Sequence, residues 1–386
     1  MHSILMIVVL LLVLGGVSYY LAARLYQGLS AFFSGLRFLP VLVVVCAVTL
    51  ILVLGFLRAL MPFPKNLKQI LGVLSAYCMG IMLYLLLFTV LSDVLLLVPR
   101  LLKLSFTTHH LFRGFVTLGV LLLTAATCIY GFLNARQIDR VSYEIRLENR
   151  VDISDLNVVM ISDLHLGAIG SESRLETIVN EINAEQPDVV CIAGDFFDTD
   201  FSAIRAPEAA LETLRGIRST YGVYACLGNH DGGETFAQMV DYLERANIRL
   251  LDDDYTVIDD RLVLVGRLDA SAIGGYGEQE RKPLSDFFSR ENPTMPVIVL
   301  DHNPVHIDEY GSEADLILCG HTHRGQVFPA NLVTAMTYTV DYGYYRADEN
   351  SPQVIVSSGV GAWGMPMRVG TDCEIVTVRF SCAETD

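Results

Sequence analysis

Five short polar blocks between residues 163 and 323 of the 386-residue chain carry residue types that can do chemistry. Each block follows an apolar run with the length and character of a buried strand. In chain order the blocks are Asp163-Leu164-His165, Gly194-Asp195-Phe196-Phe197-Asp198, Gly228-Asn229-His230-Asp231, His302-Asn303-Pro304 and Gly320-His321-Thr322-His323. They contain five of the nine histidines in the chain. Because loops at strand ends present side chains on a rigid scaffold, we expect the blocks to form one site.

The residue types in these blocks match the ligands of divalent metal ions. Imidazole, carboxylate and amide oxygen without thiolate suit Mn, Fe or Zn rather than a copper or iron–sulfur site. Two ions about 3.5–4 Å apart can clamp a phosphate and lower the pKa of a bridging water, which provides a nucleophile at neutral pH. The blocks therefore predict two divalent metal ions, with Mn favoured, at a site that splits a phosphoester bond.

Each block alone is a weaker signal than the set. An Asp-x-His pair is more often a surface turn, and Gly and Asp are ordinary loop residues. His321 and His323 are stronger candidates, because two histidines separated by one residue after a buried strand can bind metal together. Explaining all five blocks as loops would require five separate coincidences, so we interpret them as one constellation.

Alternating strands and helices must position these blocks. After a polar link over residues 134–152, strands are predicted over Val158–Asp163, Asp188–Asp195 and Val223–Leu227. Helices are predicted over Ser173–Gln186, Pro207–Ile217 and Gly233–Asn247. Further strands are predicted over Arg249–Ile258, Arg261–Arg267, Pro296–Asp301, Asp315–Cys319, Gln353–Ser357 and Glu374–Phe380. This order predicts an α/β domain with two packed sheets and helices outside them.

The first third of the chain has the composition of a membrane region. Asp93 is the only acidic residue among residues 1–136, against nine basic residues. Charged residues divide this region into four apolar stretches, which are Met1–Ala23, Phe38–Leu57, Gln69–Ser92 and Gly114–Ala135. Each matches the roughly 20 apolar residues that cross a bilayer. We predict a multi-pass α-helical membrane region with four transmembrane helices over residues 1–136 and an α/β domain over residues 137–386.

The charge distribution bears on localisation and on partners. Four spans place both chain termini on one side of the membrane, and the positive-inside rule finds five basic residues for either orientation. The chain is therefore predicted to be an integral membrane protein whose orientation the charges leave open.

Residues 137–386 carry 42 acidic and 18 basic residues, a net charge of −24. Such a domain repels nucleic acid unless metal cations reverse the sign locally.

Together and in this order, the five blocks resemble the calcineurin-like metallophosphoesterase superfamily, whose pattern is D-x-H, G-D-x-x-D, G-N-H-D/E, H and G-H-x-H. The resemblance covers about residues 141–381 and implies an αββα sandwich. It implies that the ligands of a first metal are Asp163, His165, Asp195 and His323. Asp195 would bridge to a second metal, whose other ligands would be Asn229, His302 and His321.

The same resemblance implies roles for three further residues. His230 would be a catalytic histidine that binds no metal, contacts the phosphate and helps the leaving group depart. Asp231 would orient His230, and Asp198 would hold its loop from behind the ligands. The implied reaction is in-line attack on phosphorus by a metal-bridging hydroxide, without a phosphoenzyme.

Two later segments are similar to a narrower group of the superfamily. Gly320–Gln326 (GHTHRGQ) and Ser357–Gly370 (SSGVGAWGMPMRVG) resemble a membrane-anchored bacterial branch, in which related enzymes include a hydrolase of UDP-diacylglucosamine. This resemblance implies a location in the bacterial plasma membrane. Arg324 stands where many members carry glycine and is a candidate substrate contact. Arg368 and Trp363 are further candidates, with a surface position or core packing as the alternatives.

These observations predict a hydrolase of a phosphorylated small molecule or lipid. The membrane region favours membrane lipid as a partner and a substrate presented at the bilayer, such as a lipid phosphoester or a nucleotide–lipid pyrophosphate. A cyclic-nucleotide or nucleic-acid phosphodiesterase is the alternative among enzymes, and the net charge disfavours it. A catalytically silent membrane scaffold or sensor is a second alternative, against which the complete set of ligands argues.

Overall fold

Long apolar helices form the first of the two units into which the chain folds. The computed structural model describes residues 2–58, 61–104, 109–147, 150–167, 169, 172–284 and 294–382. The two units are Met1–Phe132 and Leu133–Asp386. The helices that begin in the first unit are α1 (His2–Leu29), α2 (Phe38–Leu57), α3 (Lys65–Leu95), α4 (Leu97–Leu101) and α5 (His110–Asn134).

All of these helices except α4 are long and apolar enough to cross a membrane. The prediction of four apolar helices of membrane-spanning length is confirmed, although Met1 of the first predicted span lies outside the described residues. Large apolar side chains such as Leu12 stay exposed on the unit. Lipid tails are as apolar as leucine, so such surfaces need no protein cover in a bilayer.

Small residues let these helices pack closely. Gly28 of α1 faces Thr117 of α5, and Gly55 of α2 faces Ser75 of α3. At both places an added Cβ atom would overlap the facing side chain. Such contacts hold membrane helices together through van der Waals packing, because lipid provides no hydrophobic force between them.

Two six-stranded sheets form the core of the second unit. The first sheet has the order β1 (Asp139–Leu147), β12 (Glu374–Cys382), β2 (Asn157–Ile161), β3 (Val189–Ala193), β4 (Val223–Cys226) and β5 (Ile248–Leu250). The second sheet has the order β10 (Gly343–Tyr345), β11 (Gln353–Val356), β9 (Leu316–Cys319), β8 (Val297–Leu300), β7 (Leu262–Gly266) and β6 (Asp254–Ile258). The helices of this unit are α6 (Glu172–Ala184), α7 (Pro207–Leu214), α8 (Phe236–Arg245) and α9 (Ala330–Thr337).

The side chains of β2 show how these layers pack. Val158 and Met160 lie in the core between the two sheets, whereas Val159 and Ile161 pack with α6, α7 and α8. Successive residues of a strand face opposite sides, so a strand covered on both faces must be apolar throughout. The predicted α/β domain with two packed sheets and helices outside is confirmed.

The strand predicted over Arg249–Ile258 is instead two strands in different sheets. β5 pairs in the first sheet and β6 in the second, and the chain crosses between the sheets through Asp253. Asp253 has a φ of 49°, accepts a hydrogen bond from the Leu268 amide at 3.0 Å, and pairs with Arg267 at 3.1 Å. This buried polar crossing interrupts an otherwise apolar pattern, and the single-strand prediction was wrong.

Two strands were not predicted. β1 lies inside the segment predicted to be a polar link and pairs in parallel with β12, near the other end of the chain. Its side chains alternate between exposed and less exposed, because one face of this edge strand packs against the core between the sheets and the other face does not. β10 has three residues and is the edge strand of the other sheet.

Parallel pairing brings the five polar blocks to one region of the second unit. β2, β3 and β4 pair in parallel, and their last residues Ile161, Ala193 and Cys226 precede the first three blocks. β8 and β9 also pair in parallel and end at Leu300 and Cys319, before the last two blocks. The carboxyl ends of parallel strands lie at the same edge of a sheet, which is where ligands of such folds bind.

Candidate metal centre

Three ligand atoms converge from both sheets in the first ligand group. Asp163 and His165 follow β2, and His323 follows β9. The Nε2 atoms of His165 and His323 are 3.0 Å apart, and Nε2 of His323 is 3.3 Å from Oδ1 of Asp163. All three side chains are buried. One carboxylate oxygen and two imidazole nitrogens thus face a common point, as in a metal site.

A second ligand group lies beside the first. Oδ2 of Asp195 is 3.3 Å from Nε2 of His302, and His321 completes this group. The same Oδ2 atom is 3.6 Å from Nε2 of His165 in the first group. Asn229 belongs here as well, because its Oδ1 is 2.8 Å from Nδ1 of His321. Asp195 is therefore the carboxylate that lies between the two groups.

The two groups together attract positive charge. Burial raises the pKa of Asp163 to about 6. Burial opposes protonation of His302, yet the carboxylates of Asp195 and Asp163 hold the pKa of His302 well above its usual range. Burial lowers the pKa of His165 to about 3 and that of His321 to about 4. These two imidazoles are therefore neutral at pH 7, which is the form that binds metal.

The hydrogen bonds of His302 also fit a metal ligand. Its Nδ1 lies 2.8 Å from the carbonyl oxygen of Ala193 and must donate to it. Its buried Nε2 has no hydrogen-bond partner in the described part of the chain and faces the ligand cluster. Around a histidine that binds metal, a backbone carbonyl commonly accepts a hydrogen bond from one ring nitrogen, and the other ring nitrogen faces the cation. The residues present therefore fit a divalent metal ion.

The backbone of the ligand loops adopts a strained conformation. Positive φ angles between 47° and 70° occur at Asp163, His165, Asp195, His321 and His323. A non-glycine residue in this region costs about 1 kcal/mol or more and persists only where the surroundings enforce it. Five such residues in one cluster indicate that the backbone bends to direct short side chains at one point.

Gly194 shows why the second block begins with glycine. Its φ is +76°, and an added Cβ atom would lie 2.6 Å from Nδ1 of His302 and 2.8 Å from the Cα atom of Gly228. Three of the five blocks thus pack against one another at this position. A larger residue would push His302 away from Asp195.

His230 lies at the edge of the ligand cluster. Its backbone amide donates to Oδ1 of Asp195 at 2.8 Å, which ties it to the carboxylate between the two groups. Its ring nitrogen Nδ1 is 2.8 Å from Oγ1 of Thr199, and its ring is 5.2 Å from the ring of His165. The backbone and Nδ1 of His230 are thus both held in place.

The structure changes the role expected of Asp231. Its two carboxylate oxygens accept hydrogen bonds from the backbone amides of Phe197 and Gly228, both at 2.8 Å. Thr199, not Asp231, contacts Nδ1 of His230. Asp231 is fully buried, and burial raises its pKa to about 7. Asp231 therefore connects the second and third blocks through the backbone instead of orienting the imidazole directly.

Asp198 lies close to two of the predicted site residues. One of its carboxylate oxygens is within 4.8 Å of ring nitrogens of both His165 and His230. Its backbone amide donates to the carbonyl oxygen of Leu166 at 3.0 Å, which joins the first two blocks. The role of the Asp198 side chain in holding the loop stays a prediction.

Trp363 and Arg324 occupy different surroundings. The ring of Trp363 is 5.6 Å from the ring of His230 and is 47% exposed, so it lines the entrance to the site. The guanidinium of Arg324 lies 4.3 Å from the ring centre of Tyr342, a cation–π contact. Tyr342 therefore holds the guanidinium of Arg324, whose role as a substrate contact stays a prediction.

Arg368 lies behind His323, where substrate does not reach it. Its side chain is fully buried and donates to the carbonyl oxygens of His323, Ser358 and Gly361 at 2.9, 2.7 and 2.7 Å. Its Nη2 atom is also 3.2 Å from Nδ1 of His323. The surface position and direct phosphate contact considered for Arg368 do not agree with this burial. Its contacts instead join the His323 block to the loop over residues 357–370.

Two residues at the site were assigned no role from the sequence. Thr199 directly follows the second block but is not part of its pattern. Gln326 donates to the carbonyl oxygens of Trp363 and Met365 and accepts from the Trp363 amide at 2.7 Å. Thr199 lies outside every motif, and Gln326 is the last residue of the segment Gly320–Gln326, whose resemblance assigned no role to it.

Comparison with known proteins agrees with this geometry. A family model described as calcineurin-like phosphoesterase matches residues 156–325, which include all seven predicted ligands. A "transmembrane protein with metallophosphoesterase domain" of Danio rerio is 30% identical over 330 residues, covering 80% of this chain and 73% of that protein. With the four candidate spans, this similarity supports a membrane protein.

Bacterial relatives extend the comparison. An uncharacterized metallophosphoesterase of Campylobacter jejuni is 30% identical over 271 residues, covering 69% of this chain and 68% of that protein. The UDP-2,3-diacylglucosamine pyrophosphatase LpxG of Chlamydia trachomatis is 24% identical over 269 residues, covering 54% of this chain and 78% of that protein. Identity of 30% over more than two thirds of both chains, in relatives from a fish and a bacterium, confirms the resemblance, and the chain belongs to the calcineurin-like metallophosphoesterase family.

Proposed function

We propose that this protein hydrolyses a phosphoester or pyrophosphate bond with the help of two divalent metal ions. The observation that carries the proposal is the position of Asp195 between two buried groups of imidazole and carboxylate ligands. We assign this reaction to a catalytic domain over residues 137–386 and membrane anchoring to residues 1–136. Family membership supports the chemistry, because these phosphoesterases use divalent metal ions.

In this proposal each ligand group binds one ion. One ion would be held by Asp163, His165, Asp195 and His323, and the other by Asp195, Asn229, His302 and His321. Bound divalent ions neutralise charge on the phosphoryl oxygens and supply a water of lowered pKa. The donor set of oxygen and imidazole without thiolate suits Mn, Fe or Zn, and we favour Mn.

The residues around the ions assist departure of the leaving group. Thr199 engages Nδ1 of His230, so we assign Nε2 as the atom that donates a proton to the leaving-group oxygen. Trp363 lies against this imidazole and limits the access of water to it. A water activated at the metal site would attack phosphorus in line with the leaving group, which would depart with the proton from His230, and no residue of the chain would be phosphorylated.

Helix α9 supports a substrate that is presented at a lipid surface. Leu332, Val333 and Met336 lie on one side of α9, and their exposed fractions are 53%, 62% and 88%. Phe328, just before the helix, is 44% exposed. Fully burying an apolar side chain of this size is favourable by roughly 1.5–3 kcal/mol, and covering the exposed part of each with lipid contributes a proportionate share of that. Lipid is the occupant that we assign to this apolar surface.

The position of α9 in the fold agrees with that assignment. The helix follows the block that contains His323, and the Phe328 amide donates to the carbonyl oxygen of Val369 at 2.8 Å. The neighbouring Thr371 accepts a hydrogen bond at 3.0 Å from the side chain of Asn134, the last residue of apolar α5. Within the second unit, the start of α9 is therefore fixed to the loop that contains Val369 and Thr371.

The substrate class that we propose is a lipid phosphoester or a nucleotide–lipid pyrophosphate. The relative LpxG is a UDP-2,3-diacylglucosamine pyrophosphatase by name, and it supports the proposal. We place the protein in the bacterial plasma membrane as a multi-pass protein on the same grounds. The net charge of −24 over residues 137–386 supports a substrate other than nucleic acid.

Hydrolysis assays on the purified full chain test the reaction. Aryl phosphomonoester and phosphodiester substrates are compared with and without added Mn²⁺, beside the variants Asp195→Asn and His230→Ala. We expect metal-dependent turnover that both substitutions reduce to near background. Bound metal without turnover of any phosphoester, lipid pyrophosphates included, would support the silent scaffold instead.

Substrate presentation is tested separately. A phospholipid or nucleotide–lipid substrate in vesicles is compared with its water-soluble headgroup analogue at equal concentration. We expect faster turnover of the vesicle substrate, because membrane lipid and substrate meet at the same surface. Equal rates on both would contradict the lipid-linked substrate while leaving the hydrolase proposal intact.

A further inference from the structure

A polar cleft lies among the apolar helices of the first unit. Its lining includes Arg24 and Gln27 from α1, Asp93 from α3, Arg100 from α4, and Arg113 and Thr117 from α5. The volume of the cleft is about 40 Å³. A cavity needs about 10–15 Å³ to hold one water molecule, so the cleft has room for a small group of several atoms.

The charges that line this cleft do not balance. Asp93 uses both carboxylate oxygens, since Oδ2 is 2.7 Å from Nε of Arg24 and Oδ1 is 3.2 Å from Nη1 of Arg100. The Tyr20 hydroxyl also donates to Oδ2 at 2.8 Å. Arg113 adds a third guanidinium to the lining. Asp93 is the only acidic residue among residues 1–136, so the three guanidinium groups of the lining exceed its carboxylate by two charges.

Three arginines around one carboxylate leave an excess of two positive charges, which favours the binding of an anion. Guanidinium groups bind phosphate oxygens through paired N–H donors, and each arginine offers five N–H groups. Arg24 and Arg100 each spend only part of this capacity on Asp93. The cleft therefore offers several donors, positive charge and room for a group of phosphate size.

The cleft also lies at the depth where phosphate is found in a membrane. Arg24 and Asp93 are near the carboxyl ends of α1 and α3, and Arg113 is near the amino end of α5. Ends of membrane-spanning helices lie at the level of the lipid headgroups. The arginines are close enough to those ends to face the headgroups and not the acyl chains.

We propose that this cleft binds a phosphate group, supplied either by a phospholipid headgroup or by free phosphate. The site is separate from the metal centre and does not depend on the function proposed above. The phosphate lies between Arg100 and Arg113, with Arg24 held in place by Asp93 and Gln27, whose Oε1 accepts from Arg24 at 3.0 Å. Its affinity depends on the number of guanidinium groups around it.

Native mass spectrometry on the full chain in zwitterionic detergent tests this site. EDTA is present throughout, so that the metal centre does not bind phosphate. The probes are short-chain phosphatidylglycerol, diacylglycerol as the same lipid without phosphate, and inorganic phosphate as a competitor. We expect phosphatidylglycerol to bind and diacylglycerol not to bind. Displacement by millimolar inorganic phosphate would identify free phosphate as a ligand, and retention would identify the lipid.

Variants of the cleft give the decisive comparison. Arg100→Gln and Arg113→Gln are expected to weaken phosphatidylglycerol binding about tenfold each, because each removes charge-assisted hydrogen bonds. Arg37→Gln is the matched control, since Arg37 is an exposed arginine at the start of α2 outside the cleft. Asp93→Asn is expected to act in the opposite direction and tighten binding, because it adds to the positive excess.

The same variants can overturn the proposal. Unchanged binding in both Arg100→Gln and Arg113→Gln, or equal binding of diacylglycerol, would show that the cleft does not recognise phosphate. If the Gln variants fail to fold, Arg100→Lys and Arg113→Lys keep the charge and lose the paired donors. Those two are then expected to bind about threefold more weakly than the unaltered chain, and equal affinity would contradict the proposal.

Discussion

The two units of this chain both hold charged side chains among apolar ones, but the excess charge has opposite signs. In the helical unit the guanidinium groups of Arg24 and Arg100 share the single carboxylate of Asp93. In the sheet unit the carboxylates of Asp163 and Asp195 face imidazoles that burial keeps neutral, such as His165. The sign of the uncompensated charge thus indicates whether each site attracts an anion or a cation.

The two sites also differ in how the backbone presents the side chains. The arginines lie on regular helices, and Lys103 is the only non-glycine residue with positive φ in the described part of the helical unit. The short ligands of the sheet unit lie on loops where φ is positive, for example at Asp163 and His323. Long side chains reach a common point from relaxed helices, whereas short ones require the backbone itself to bend.

The largest expected effect comes from the carboxylate between the two ligand groups. Asp195→Asn is expected to lower turnover by about 10³-fold or more, because a neutral amide binds divalent metal poorly and cannot compensate its charge. Metal content by elemental analysis and turnover are measured on the same samples. The control is Asp188→Asn, the same change just before the start of β3. Equal activity of the two variants would contradict the assignment of Asp195.

Replacing His230 tests whether proton transfer can be lost while metal binding is kept. His230→Ala is expected to lower kcat by about 10²–10³-fold while the protein keeps its metal, because the loss of a general acid leaves the ligand groups intact. His302→Ala is expected to lower both metal content and kcat. The comparison measures kcat and bound metal for both variants. A His230→Ala protein that loses its metal would show that His230 is a ligand.

Arg368 tests whether residues behind the ligands set the metal affinity. Arg368→Lys keeps the charge but loses the guanidinium contacts to the backbone around His323, and we expect about 10-fold weaker metal binding. At saturating metal, kcat is expected to change little. Metal affinity is measured by competition with a chelating dye, beside Arg324→Lys as the neighbouring control. An equal loss of metal affinity in Arg368→Lys and Arg324→Lys would show that the contacts of Arg368 with the backbone around His323 are not its cause.

The smallest effect is expected on the apolar side of α9. Leu332→Ser combined with Met336→Ser is expected to lower turnover of a vesicle substrate by about 3- to 10-fold and to leave aryl phosphate turnover unchanged. The control is Val257→Ser, another exposed apolar residue of the same unit, on β6. A uniform loss on both substrates would indicate damage to the fold and not loss of lipid contact.

The positions of the five blocks follow from the sequence because local patterns determine them. A short apolar run such as Val189–Ala193 indicates a strand, and parallel pairing then brings its end beside the ends of its neighbours. The four long apolar helices follow from composition in the same way. Length, periodicity and motif order were therefore sufficient to predict the four long helices and the positions of the five blocks.

Features that depend on distant residues were not available from the sequence. β1 is an edge strand whose partner β12 lies more than 200 residues later, and its own pattern is mixed. The crossing at Asp253 depends on Arg267 from another part of the chain. The burial of Arg368 depends on carbonyl groups that no motif displays. Positive φ at the ligands likewise follows from packing in three dimensions.

The central claim is that two metal ions act together in one buried site around Asp195. Metal-free protein is titrated with Mn²⁺, and bound ions per chain and phosphoester turnover are measured in the same samples. The result that we predict is two ions per chain, with turnover that appears as the second ion binds. Full turnover with one ion per chain, or turnover without bound metal, would contradict the claim.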